Sequence, residues 1–198
     1  MLTKSEKTKE FIIQTVSPIF NKYGYAATSL NDITKATGLT KGAIYGNFKN
    51  KEKLAIATFD VTVKNMLYRI QAHQSKGNSA LQKLFLITDF YRNYYDYTKE
   101  IGGCPILTMG VDAKNQNPLL FKHVQLTINK IQGNLTKIIQ LGQEQNEIRE
   151  GISANQYAKK IYTMITGAIF MTHTMEDINY LLNTIEQIDL LINNNLMK

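Results

Sequence analysis

Thr28-Ser29-Leu30-Asn31-Asp32-Ile33-Thr34-Lys35-Ala36-Thr37-Gly38-Leu39-Thr40-Lys41-Gly42-Ala43-Ile44-Tyr45-Gly46-Asn47-Phe48-Lys49-Asn50-Lys51 reads as two short helices joined by a tight turn. Thr28 or Ser29 caps the first, and Ser29 stands three residues before Asp32, the spacing of a capping box. Ile33 and Ala36 give that helix a short apolar edge. Gly38 supplies the positive φ that ends it, and Leu39 fills the corner. Thr40 caps a second helix whose inward face is Ile44 and Phe48. Two helices joined in this way make a helix-turn-helix, a unit that lays its second helix in the major groove of DNA.

On the N-terminal side, Ile12, Val16, Ile19, Phe20 and Tyr23 repeat on one face and predict a helix from near Ser5 to Tyr23. Pro18 lies inside it and predicts a bend near residues 14–17, with Gly24 as the stop. On the C-terminal side, Asn50 caps a helix running to about His73, with Leu54, Phe59, Val63, Met66, Leu67 and Ile70 in line. Ser75 to Asn78 breaks the pattern, and a helix follows over Ser79–Thr98. Ile101 to Pro105 is a loop, with a short helix after it. Asn117 before Pro118 starts a helix that runs to about Gln145. Ser153 and Gln156 open another, and a last one covers about Met175–Asn193.

With 3 prolines, 12 glycines and no sustained period-two alternation, the chain is expected to be all-α, with about nine helices. The expected division is a three-helix head over residues 1–50 and a larger helical body over 51–198. Among 198 residues, 43% are apolar and 20% charged, enough for a full core and unlike a disordered chain.

The net charge of +7 is unevenly placed. Residues 1–53 hold nine Lys/Arg against four Asp/Glu, a balance of +5, while the remaining residues contribute +2. An excess on the helix-turn-helix segment fits a polyanionic partner bound through phosphate contacts and counterion release. A solvated lysine-rich terminus would give the same charge; the helix-turn-helix decides between them.

One cysteine, Cys104, cannot form an internal disulfide, which fits a reducing cytosol. No signal peptide is recognisable, and the most apolar run, Ile161–Met171, is too short to span a bilayer. A soluble cytoplasmic protein without a membrane partner is expected. His73, His123 and His173 are isolated, and no HExxH, Cys-x-x-Cys or Gly-x-Ser-x-Gly pattern is present. No enzyme activity, metal site or cofactor is therefore expected.

Thr28 to Leu54, with Gly38, Thr40-Lys41-Gly42, Ile44-Tyr45, Phe48 and Asn50-Lys51-Glu52-Lys53-Leu54, resembles the operator-binding head of TetR-family transcriptional regulators. The chain departs from that pattern at Thr34, where a small apolar residue is usual, and at Gly46, where a bulkier contact residue is common. Beyond the head the resemblance rests on length, helical content and Gly103-Cys104-Pro105. It implies a homodimeric repressor on a palindromic operator in double-stranded DNA, released by a small-molecule effector bound in the body.

The groove surface is expected to carry Lys41, Gly42, Ala43, Gly46 and Asn47. Lys41 reaches a guanine edge or a phosphate, Ala43 offers a methyl to thymine, and Asn47 pairs with adenine. The two glycines admit close backbone approach. Tyr45 and Lys51 match phosphate-clamping positions of the resembled family, while Thr28, Ser29 and Thr40 add hydroxyls and helix starts.

For an apolar or amphipathic effector the expected lining is Phe90, Tyr91, Tyr94, Cys104, Met109, Phe121, Met164 and Phe170. Each is also compatible with plain core. The last two helices are apolar on more than one side. Tyr157, Ile161, Met164, Ile165, Ala168, Leu181, Leu182, Ile185, Ile188 and Ile192 are the expected dimer contacts. Two readings stand beside the repressor: an architectural DNA-binding dimer, and a helical ligand-binding or enzymatic protein whose head serves packing.

Overall fold

The computed structural model of the chain describes residues 3–198, and every regular element in them is helical. Ten α-helices follow one another: α1 Lys4–Ala27, α2 Leu30–Thr37, α3 Lys41–Asn47, α4 Lys51–Gln74, α5 Ala80–Arg92, α6 Tyr94–Glu100, α7 Pro105–Gln116, α8 Pro118–Glu144, α9 Ala154–Met175 and α10 Asn179–Leu191. A π-turn, Ile192–Leu196, closes the chain, and one isolated antiparallel bridge joins Ile148 to Met197.

The helix starts follow from their side chains. Thr3 and Glu6 form a reciprocal box at α1, with Thr3 N–H to Glu6 Oε2 at 2.7 Å and Glu6 N–H to Thr3 Oγ1 at 3.2 Å. Ser79 and Ser153 cap α5 and α9 by accepting the N–H groups of Gln82 and Gln156. Asn117 accepts from Leu120 N–H at 3.0 Å, with Pro118 as the first residue of α8.

Three expectations change. The helix expected over Ser79–Thr98 is two, because Asn93 leaves helical geometry and its N–H turns back to Phe90 O. Pro18 lies within helical backbone, and the non-helical residue of α1 is Gly24, at φ 80° and ψ 178°. The last long helix begins at Asn179 rather than near Met175, because Glu176 takes a left-handed conformation, φ 54°, that ends α9.

The chain divides into two compact units. The first comprises residues up to Met66 together with Thr98–Thr127; the second comprises Leu67–Tyr97 and Ile128–Lys198. The first unit therefore adds α7 and parts of α4 and α8 to the three helices of the head. Its core joins Ile12, Val16 and Phe20 of α1 to Ile33 of α2, and to Ile44 and Phe48 at α3. Complete burial of each such side chain contributes about 1.5–3 kcal/mol.

Within this unit α7 packs along α1. Asn21 is buried and donates from Nδ2 to Ile101 O at 2.8 Å. Gly102 and Gly103, at φ 88° and 134°, lie on the α1 backbone: a Cβ on Gly102 would sit 2.4 Å from Pro18 O, and one on Gly103 2.8 Å from Asn21 O. Only glycine takes that conformation at that distance.

The second unit packs α10 against α9 and α5. Asp189 of α10 accepts from Thr88 Oγ1 at 2.7 Å and pairs with the Arg92 guanidinium. Phe90, Tyr91, Tyr94 and Tyr97 form a run of aromatic contacts, with ring centroids 5.1–6.1 Å apart.

Candidate nucleic-acid interface

The turn between α2 and α3 is built by local chemistry. Ser29 and Asp32 cap each other, Ser29 N–H to Asp32 Oδ2 at 2.8 Å and Asp32 N–H to Ser29 Oγ at 3.1 Å. The Ser29 hydroxyl, donating to Asp32 Oδ2 at 2.6 Å, and the Ser29 N–H together hold the Asp32 carboxyl below the usual carboxylate range. Gly38 ends α2 at φ 67° with its N–H on Thr34 O at 2.9 Å. Thr40 then caps α3 by accepting Ala43 N–H at 3.2 Å.

Ile44 and Phe48 anchor α3 in the core, so the opposite face points outward. Lys41, Gly42, Tyr45 and Gly46 are exposed there, at i, i+1, i+4 and i+5 of one short helix. Ala43 and Asn47 are half-buried at the edge, and Asn47 donates from Nδ2 to Ala43 O at 2.9 Å. A Cβ on Gly46 would meet no atom within 4 Å, and one on Gly42 only Thr40 Oγ1 at 3.9 Å. Nothing within the chain requires glycine at either place, although each weakens the helix by roughly 0.5–1 kcal/mol relative to alanine.

Thr28 does not belong to this surface. It is 1% exposed, and its hydroxyl is bound to Gly24 O at 2.7 Å, closing the end of α1. Ser29 and Thr40 are exposed, with their hydroxyls engaged as caps.

Lys51 opens α4 half-buried, its ammonium 4.5 Å above the Tyr25 ring and 3.4 Å from Ala26 O. Burial lowers its pKa, and the nearby carboxylates of Asp112 and Asp32 oppose that shift. Asp112, on α7, accepts Ala26 N–H at 2.7 Å and lies against Gly24, whose Cβ would come within 2.9 Å of it. Tyr25 and Asp112 thus set the surroundings of Lys51, and sequence reading identified neither. Asp112 is 86 residues from Ala26, beyond any local pattern.

A cavity of about 230 Å³ lies within the second unit. Its walls come from α4 (Leu67, Ile70, Gln71, Gln74), α5 (Ile87, Tyr91), α8 (Lys130, Ile131, Asn134, Leu135) and Tyr162 of α9. Of the eight expected effector residues, Tyr91 alone lines it. Cys104, Met109 and Phe121 belong to the first unit; Phe90 and Tyr94 are in the aromatic run, and Met164 is half-buried outside the lining. Phe170 is 55% exposed. The rest of the lining is aliphatic, amide and ammonium, with the phenol of Tyr162 beside that of Tyr91.

The expected dimer contacts fall into two groups. Ile161, Ile165, Ala168, Leu181, Ile185, Ile188 and Ile192 are buried within the chain and have almost no surface left to offer a second copy. Tyr157, Met164 and Leu182 are half-buried. The exposed stripe of α9 is Thr163, Gly167, Phe170 and Thr174; that of α10 is Tyr180, Asn183, Gln187 and Leu190. A Cβ on Gly167 would meet nothing within 4 Å.

Among the described residues no helix is long and apolar enough to cross a membrane, and no three His, Cys, Asp or Glu side chains are grouped to hold a metal ion.

Residues 12–58 match the family model of bacterial regulatory proteins of the tetR family, and residues 80–188 match the tetracyclin repressor-like C-terminal domain. An uncharacterized HTH-type transcriptional regulator of Bacillus subtilis, YxaF, is 30% identical over 192 residues, spanning 96% of this chain and 98% of the relative. The crystal structure of a TetR-family transcriptional regulator from Cytophaga hutchinsonii superposes with a TM-score of 0.91 at 33% identity, covering 100% of this chain and 99% of that one. A TetR transcriptional regulator from Chloroflexus aurantiacus gives 0.94 at 28% identity, with 99% of each chain covered.

Proposed function

Because this chain belongs to the TetR family of bacterial transcriptional regulators, we propose that it is a homodimeric repressor of a palindromic operator, released when a small molecule occupies the cavity of its second unit. The observation that carries the reading is the outer face of α3. Lys41 and Tyr45, one turn apart, offer an ammonium and a phenol beside two glycines whose Cβ positions are open. Such a face brings the helix backbone close to base edges while its flanks engage phosphates.

Lys51 adds a cation at the start of the next helix. The exposed stripes of α9 and α10 supply the surface for a second copy, with Phe170 and Leu190 as apolar anchors and Gly167 allowing close helix approach. A two-fold dimer presents two recognition helices about one duplex turn apart, which is what a palindrome requires. The effector acts by binding one arrangement of the dimer better than the other, a coupling of about 1–3 kcal/mol.

The experiment is selection of genomic fragments by the purified protein, followed by anisotropy titrations of the selected duplex and a scrambled one over a salt series. Equal affinity for both duplexes would refute operator recognition. Replacing Phe170 by Glu should shift the light-scattering mass toward the monomer; an unchanged mass places the dimer surface elsewhere.

A further inference from the structure

The lining of the cavity restricts what can fill it. An apolar cavity of about 150 Å³ holds a benzene molecule, so about 230 Å³ takes one ring and a short chain rather than a fused polycycle. Leu67, Ile70, Ile87, Ile131 and Leu135 surround such a ring with branched aliphatic groups.

The polar part of the lining has one sign. Lys130 is its single charged side chain, and no Asp or Glu contributes. No ion pair of the described residues engages Lys130. Next to it, one helical turn along α8, Asn134 exchanges hydrogen bonds with Gln74: Asn134 Nδ2 to Gln74 Oε1 at 3.0 Å, and Gln74 Nε2 to Asn134 Oδ1 at 3.5 Å. The second bond is at the limit of hydrogen-bonding distance, so that amide donor yields readily to a better acceptor. An anion entering the cavity meets an ammonium outside any ion pair and one weakly engaged amide donor, Gln74 Nε2. A cation meets no carboxylate to replace its hydration.

We propose that the cavity binds a one-ring amphiphile carrying a single anionic group, with the ring among the aliphatic side chains and the anion at Lys130 and the Gln74–Asn134 amides. The proposal rests on the reading of this cavity as the effector site, and it adds the chemical class. Gln74 is the last residue of α4, the helix that Lys51 begins, so a ligand that draws on its amide contacts the end of that helix directly.

Three isosteric probes test it on the intact purified protein by calorimetry: phenylbutyrate, phenylbutanol and phenylbutylamine. The acid should bind about fivefold more tightly than the alcohol, the upper range for one exposed charge pair, and the amine most weakly. Lys130→Met should bring acid and alcohol together while leaving alcohol binding in place, and Lys130→Glu should invert the order of acid and amine. An amine that binds as well as the acid, an acid advantage that survives Lys130→Met, or no binding by any of the three overturns the assignment.

Release of the selected duplex is read separately by anisotropy. Acid that binds at Lys130 without releasing DNA supports the ligand class and refutes the effector reading. A different compound that releases DNA from a protein to which the acid does not bind does the reverse.

Discussion

Replacing Gly46 by alanine should change folding and DNA binding in opposite directions. Gly46 lies within α3, and no atom approaches within 4 Å of the position its Cβ would take, so the methyl group meets no steric cost in the free protein. Relief of the glycine penalty in a helix stabilises the head by roughly 0.5–1 kcal/mol. In a chain of this length that raises the melting temperature by about 1–4 °C. In the proposed complex the same methyl would point from the exposed face toward the groove. An extra methyl forced into a close-packed contact costs about 1–3 kcal/mol, or roughly 5- to 150-fold in affinity.

Thermal melting by circular dichroism reads the first quantity, and anisotropy titration of the selected duplex at one fixed salt concentration reads the second. A variant that melts higher yet binds DNA like the wild type would show that the α3 backbone is not closely approached.

The remaining expectations concern the frame around α3. Gly38→Ala should destabilise the head by about 1–2 kcal/mol, because the left-handed φ of 67° and not crowding requires glycine; Gly38→Asn should recover part of that loss in the same chemical-denaturation assay. Asp112→Asn keeps an acceptor for Ala26 N–H and removes a negative charge beside Lys51. It should leave the melting temperature unchanged and tighten duplex binding about two- to fivefold, whereas Asp112→Ala should lower the melting temperature. Lys51→Ala should weaken binding to all duplexes and reduce the salt slope by about one. Since burial lowers the Lys51 pKa, its proton is lost at a lower pH than an ordinary lysine's. Affinity should accordingly decline earlier on the alkaline side in the wild type than in Lys51→Arg.

The head was legible because its determinants are local. Ser29 and Asp32, Gly38, Thr40 and the Ile44–Phe48 pair act within a turn or two of one another, and each acts as its spacing implies. The break at Asn93 was not legible, since Asn93 is an ordinary helix residue and the aromatic pattern continues across it. Nor could sequence rank the two apolar sides of α9. Ile161, Ile165 and Ala168 face inward while Phe170 faces out, and only the packing of α10 and α5 decides which side is core. The cavity was not legible for a related reason: Gln71, Lys130 and Asn134 are exposed and Gln74 is half-buried, and nothing local marks them as lining one cavity until α4 and α8 are brought together.

Gly102 and Gly103 lie in a half-exposed loop, where substitution is ordinarily tolerated. Yet every side chain larger than hydrogen would be driven into the carbonyl oxygens of Pro18 and Asn21. In a saturation library these two codons should therefore be as intolerant as those for Phe20 or Ile44, and recombination between homologues should cross over on either side of them rather than between them and α1.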